Sequence, residues 1–154
     1  MKPIFNQKKI KACSLWLVAC CLFIGLLTMQ SCGKKNDPQP ETDRVMEILK
    51  ANTWKMTSVT VDNTDRTTVY AGLTLSFTDT NYSTTNGGVV WPTSGTWAFA
   101  DATGKLITRS DGLAISVEEA TTTKLSLKLT WAETTLGGGR ASSVAGVHVF
   151  VFGK

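Results

Sequence analysis

The chain has 154 residues, with 16 Lys and Arg against 12 Asp and Glu, a formal net charge of +4. Lys2, Lys8, Lys9 and Lys11 carry that whole excess inside an acid-free first 31 residues, so the chain from Cys32 onward is neutral; Cys13, Cys20 and Cys21 also precede Cys32, and no cysteine follows it. A body of this make-up is not a basic nucleic-acid-binding domain, a disulfide scaffold or a Cys-ligated metal site.

Lys8, Lys9 and Lys11 form a charged n-region, and Ala12 to Met29 is an apolar run without charge. Together they read as an export signal. The run also approaches the ~18 residues of a spanning helix, so on its own it leaves a retained anchor open. The next residues decide. Met29-Gln30-Ser31-Cys32 resembles the lipobox of bacterial lipoproteins: a large apolar residue at −3, a small one at −1, then the acceptor cysteine. The resemblance implies that residues 1–31 are a signal peptide and that Cys32 is the lipid attachment site. The expected membrane contact is then through acyl chains, each buried methylene contributing about 0.8 kcal/mol.

Gly33 rather than Asp follows the cysteine, and Lys34-Lys35-Asn36-Asp37 is loosely similar to the charged surface-export tags of such lipoproteins. Both imply a lipid-anchored place in the outer membrane, at its periplasmic face or on the cell surface. Gly33 to Glu41 holds Pro38 and Pro40 and almost nothing apolar. It is expected to be an extended tether of about ten residues, reaching roughly 30 Å. The organisation is thus 1–31 signal, 32–42 lipidated cysteine and tether, and 43–154 folded body.

In the body, Thr42 or Asp43 can cap a short helix whose Val45, Met46 and Leu49 share a face, with Asn52 as its stop. From Thr53 the period changes to two. Leu73, Leu75 and Phe77 alternate with Thr and Ser, as do Leu113, Ile115 and Val117 with polar or small residues; Leu125, Leu127, Leu129 and Trp131 do so most clearly. Only a strand places such a set on one face. Strands are predicted near 54–61, 67–71, 73–78, 81–85, 94–100, 105–109, 113–118 and 124–131, with a closing strand near 146–152.

Turns are predicted at Asp79-Thr80-Asn81, Asn86-Gly87-Gly88, Asp101-Ala102-Thr103-Gly104 and Asp111-Gly112. The short connections imply an all-β antiparallel meander of about eight strands that closes into a small barrel. In the last strand Val147, Val149 and Val151 oppose His148, Phe150 and Phe152. A strand apolar on both faces is expected to be covered on both sides, here by the N-terminal helix.

Asn52-Thr53-Trp54, then Ser94-Gly95-Thr96-Trp97-Ala98-Phe99, Ile107-Thr108-Arg109-Ser110-Asp111-Gly112, Gly137-Gly138-Gly139-Arg140 and Gly146-Val147-His148-Val149-Phe150 follow in an order similar to the small lipocalin-like domains of Bacteroidetes-type lipoproteins. That resemblance covers roughly residues 45–154. It implies a compact meander with an N-terminal tryptophan plugging one barrel end.

Catalytic chemistry has little to work with. His148 is the single histidine, and in an apolar strand it reads as a hydrogen-bonded interior residue. Adjacent Glu118 and Glu119 would point to opposite strand faces and so cannot flank one glycosidic bond. Neither a catalytic residue, a metal nor a cofactor is expected. Gly137-Gly138-Gly139-Arg140 could cradle an anion, yet reads first as a flexible connection within 132–145. Arg109, Ser110 and Asp111 read as turn chemistry with a surface ion pair.

Trp54, Trp97 and Trp131 fit inward, barrel-closing positions. Trp91, before Pro92 in a loop, is the tryptophan expected to be exposed and to stack on a ligand. The candidate contacts for a ligand or partner are therefore Trp91, Arg109, Arg140 and His148. The expected function is a non-catalytic envelope binding module for a small apolar ligand, lipid or glycan. The alternative is an assembly lipoprotein that meets another envelope protein through a sheet face or loops. Nucleic acid is not an expected partner.

Overall fold

A computed structural model describes residues 39–137 and 140–154, which fall in one unit, Pro38–Lys154. Cys32 and the signal and most of the tether lie outside the described residues. The elements are a helix α1 (Glu41–Lys50) and strands β1 (Thr53–Val61), β2 (Thr64–Asp65), β3 (Thr74–Phe77), β4 (Asn81–Thr85), β5 (Ser94–Phe99), β6 (Leu106–Arg109), β7 (Ala114–Ala120), β8 (Lys124–Trp131), β9 (Thr135–Gly137), β10 (Arg140–Ser143) and β11 (Gly146–Gly153).

The strands form the expected antiparallel meander. β1, β3, β4, β5, β6, β7, β8 and β11 pair in that order, and β11 returns to β1 through Met56↔Phe152 and Val59↔Phe150. Eight strands therefore close a barrel, with β2 added on β1 and a separate β9–β10 hairpin. Closure leaves the barrel strands without free edges. Among the described residues no helix is long and apolar enough to cross a membrane.

Alternation carries the core. Leu75, Phe77, Ile107, Ile115, Val117, Leu125, Leu127, Leu129, Phe150 and Phe152 all point in and are buried. Two bulges reset the period. One lies between Met56 and Ser58, so Trp54 and Met56 face inward before it and Val59 and Val61 after it. The other lies between Val117 and Glu119 and corrects the reading of the glutamates. The extra residue lets both face outward, Glu118 exposed and Glu119 paired with Lys124 at 2.6 Å, instead of splitting them between faces.

α1 closes one barrel end. Val45 and Leu49 are buried and Met46 is half-buried, as the helical spacing predicts. Trp54 lies beneath, fully buried, and donates its indole N–H to the Leu49 carbonyl at 3.0 Å. Two details of the helix differ from expectation. Pro40, not Thr42 or Asp43, occupies the cap position; its carbonyl accepts from the Asp43 and Arg44 amides, while Glu41 and Asp43 place negative charge in the first turn. And α1 packs on β3 and β7, not over the outward valines of β11. Val147 stays 36% exposed, and Val149 and Val151 are half-buried only by their neighbours.

Residues 67–71 are not a strand. Asp65 takes both the amide and the hydroxyl of Thr67 (2.8 and 2.6 Å), and the chain coils into a 3₁₀ turn over Thr67–Tyr70 that drops Tyr70 into the core. The 132–145 segment is likewise no plain connection, since it contains the β9–β10 hairpin.

Candidate functional site

The end of the barrel opposite α1 is assembled from four connections: β1 to β3 with its 3₁₀ turn, β4 to β5 (residues 86–93), β6 to β7, and β8 to β11 with its hairpin. Trp91, Arg109 and His148 all come to this end, and the backbone of Arg140 belongs to its hairpin. The side chain of Arg140 and residues 138–139 lie outside what is described. The four candidates thus share one end of the barrel, and the three whose side chains are described turn inward there.

Trp91 is the main correction. It is 1% exposed, not a solvent-facing loop residue. Asn86 and Gly88 take left-handed backbone angles (φ 55 and 59), and the chain doubles back over Gly87, whose Cα is so close to Trp91 that an added Cβ would lie 2.1 Å from its carbonyl oxygen. Thr84 Oγ holds the Trp91 and Pro92 carbonyls at 3.0 and 2.9 Å. The loop therefore points Val90 and Trp91 into the mouth, where Trp91 meets Tyr82 and Phe150 edge-on at 6.0 and 5.9 Å.

Arg109 stands in inward register, opposite Trp97, and is 3% exposed. Its pair with Asp111 is present, but the guanidinium is interior, so the expected surface position is corrected. Asp111 folds back across the Gly112 turn and takes the Nε and Nη2 protons; Nη1 donates to the Val90 carbonyl at 2.5 Å. The cation also lies 5.7 and 5.4 Å from the Tyr82 and Trp91 ring centres. Hydrogen bonding from Arg109 holds the Asp111 carboxyl below the usual carboxylate range.

His148 is fully buried, as expected of an interior residue. The Gly146 carbonyl, 3.1 Å from Nδ1, can only accept, so Nδ1 carries the proton and Nε2 accepts from the Tyr70 hydroxyl at 2.7 Å. Burial pushes the imidazole below its ordinary value. The ring stacks on Phe150 at 5.5 Å. Trp54 and Trp97 fill the core; the Trp97 indole N–H is shared by the Thr78 and Asn81 carbonyls at 3.2 Å.

Trp131 closes the barrel less completely than its inward register suggests. It is the last residue of β8, one layer above buried Leu129, and is only half-buried. With Leu113, Thr130, Ala132 and Glu133 it lines a rim hollow of ≈ 280 Å³. Its indole nitrogen is shielded from solvent, so its accessible surface is carbon. Leu113, Thr130, Ala132 and Glu133 are not among the contacts expected from the sequence; their place at the two connections flanking the mouth was the available signal. Two larger hollows lie on the outer wall, one over Ser76, Ser83 and Thr96, the other beside Asn63, Lys128 and Val147. Among the described residues no group of three His, Cys, Asp or Glu side chains is placed to hold a metal.

This geometry defines a barrel with one end plugged by a helix and the other packed with aromatic rings around a single half-open tryptophan. No protein-family model matches the chain, and no curated protein matches it at a significant level.

Proposed function

We propose that the chain is a cell-envelope lipoprotein, acylated at Cys32 and held at the outer membrane, whose barrel is a non-catalytic binding module for a small apolar ligand, lipid or glycan. The pattern from Lys8 to Cys32 and its likeness to Bacteroidetes-type lipoproteins with lipocalin-like domains support the anchor. The observation that carries the binding reading is the rim hollow on Trp131: an accessible carbon face beside a carboxylate, on a wall fixed by β8. The single histidine, buried and bonded on both nitrogens, supports a binding role over a catalytic one.

Two measurements test this. Intact-mass spectrometry of the membrane fraction is expected to return acylated 32–154; a chain that keeps residues 1–31 removes the anchor. Acrylamide quenching is expected to reach Trp131 but not Trp54, Trp91 or Trp97, none of which exceeds 4% exposure. An envelope extract that holds a ligand should suppress the Trp131 part.

A second reading, assembly with another envelope protein, has its own observation in the uncovered Val147, Val149 and Val151 on the outer face of β11. Val149→Lys is expected to abolish cross-linking to such a partner while leaving Trp131 quenching unchanged.

A further inference from the structure

The class of ligand follows from what the mouth excludes. A barrel that holds an acyl chain needs an open interior. Here Trp54, Trp91, Phe150 and Phe152 are each at most 1% exposed, and the last three form a continuous run of ring contacts at 5.9 and 6.2 Å. Arg109, the buried cation that an acidic head group would seek, is already neutralised by Asp111 and bonded to Val90. At the mouth, the described residues leave the rim hollow on Trp131, ≈ 280 Å³, and among the described residues that line it the ionisable one is the acid Glu133. A carboxylate there repels fatty-acid and phosphate head groups and accepts hydrogen bonds from hydroxyls.

The rest of the hollow has matching chemistry. Trp131 offers carbon surface and no N–H, because its nitrogen is shielded. Leu113 and Ala132 extend that surface, and Thr130 adjoins it. An apolar plate bordered by a carboxylate acceptor is complementary to a molecule with a flat C–H face and a rim of hydroxyls.

We propose that the rim hollow is a subsite for a neutral saccharide ring, stacked on Trp131 with hydroxyls bonded to the Glu133 carboxylate. This rests on the binding-module reading above and narrows its ligand to one class.

The full chain in detergent micelles is applied to an array of neutral cello-, chito-, manno- and xylo-oligosaccharides. Retained sugars, and palmitate in parallel, are then titrated while Trp131-dependent acrylamide quenching is followed as the difference from Trp131→Phe. At least one neutral oligosaccharide should be retained and protect Trp131. Trp131→Ala should weaken retention about tenfold or more and Trp131→Phe only a few-fold, since a phenyl ring keeps the platform. Glu133→Gln, a near-isosteric change at an exposed position, should weaken it several-fold. Retention undiminished in Trp131→Ala overturns the subsite. Protection by palmitate and by no sugar overturns the saccharide class and leaves the binding reading standing. Protection by neither overturns both.

Discussion

Arg109 is the only charged side chain buried among the described residues, and its countercharge is a partner that is itself 48% exposed. Removing the carboxylate leaves a desolvated guanidinium with one carbonyl and two ring faces. Asp111→Asn is therefore expected to cost about 2–3 kcal/mol, less than the loss for a fully buried pair because Asp111 is half in water. The double variant Arg109→Met/Asp111→Asn should recover part of that loss, since the uncompensated charge is gone. Urea midpoints at neutral pH check both, and a double variant no better than the single one refutes the account. The same residue scale shows why two tryptophans trade places relative to expectation. Trp131 has inward register, but register says nothing about height, and the top layer of a barrel overhangs water. Trp91 has a loop address, but Val89-Val90-Trp91 is too apolar a run for a solvated loop, and that was the readable sign that the loop turns inward.

The β4–β5 loop depends on one glycine. Gly87 is buried, and an added Cβ would meet the Trp91 carbonyl, a backbone atom that cannot step aside. Gly87→Ala should cost about 1–3 kcal/mol and raise Trp91 quenching, because relief comes only by lifting the loop out of the mouth. Unchanged quenching would mean that the loop is held some other way. The strands, the helix and the barrel's closing strand were legible because a period of two or of 3.6 is written in the apolar residues themselves. The 3₁₀ turn at Thr67–Tyr70 was not, because the β-branched and aromatic Thr-Thr-Val-Tyr has the composition of a strand and the deciding contact comes from Asp65 outside it. Bulges hide similarly: a single extra residue in β1 or β7 leaves composition unchanged and moves only the parity. The β9–β10 hairpin was not legible either, since Gly137-Gly138-Gly139-Arg140 reads as a flexible connection and the flanking runs are only three and four residues long.

At the scale of the whole molecule, the two ends of the barrel respond differently to acid. His148 sits in the mouth, joining β11 to the 3₁₀ turn through Tyr70, whose hydroxyl is also tied to the Val144 backbone. Its folded value is depressed by burial, partly offset by the Gly146 carbonyl and by Asp62. The unfolded chain therefore takes up the proton first as pH falls below about 6.5. The stability that this imidazole contributes is complete above that value and is lost on descent towards the folded one, at up to about 1.4 kcal/mol per pH unit. Asp65, Asp101 and Asp111 act later. Their carboxyls are lowered chiefly by side-chain hydrogen bonds from Thr67, Thr103 and Arg109, so their contribution is present above the ordinary carboxylate value near 3.8 and disappears below it. Asp101 holds the β5–β6 turn beside α1, whereas Asp65 and Asp111 hold the mouth. Denaturant midpoints across pH 8 to 3 should accordingly show a plateau, a first decline that begins near 6.5, and a steeper fall below about 4. His148→Gln, which can still accept from Tyr70, is expected to erase the first decline and leave the second. A wild-type midpoint that is flat between pH 7.5 and 5 would show that the buried imidazole is not coupled to folding, and with it that the mouth is not closed through Tyr70 and His148.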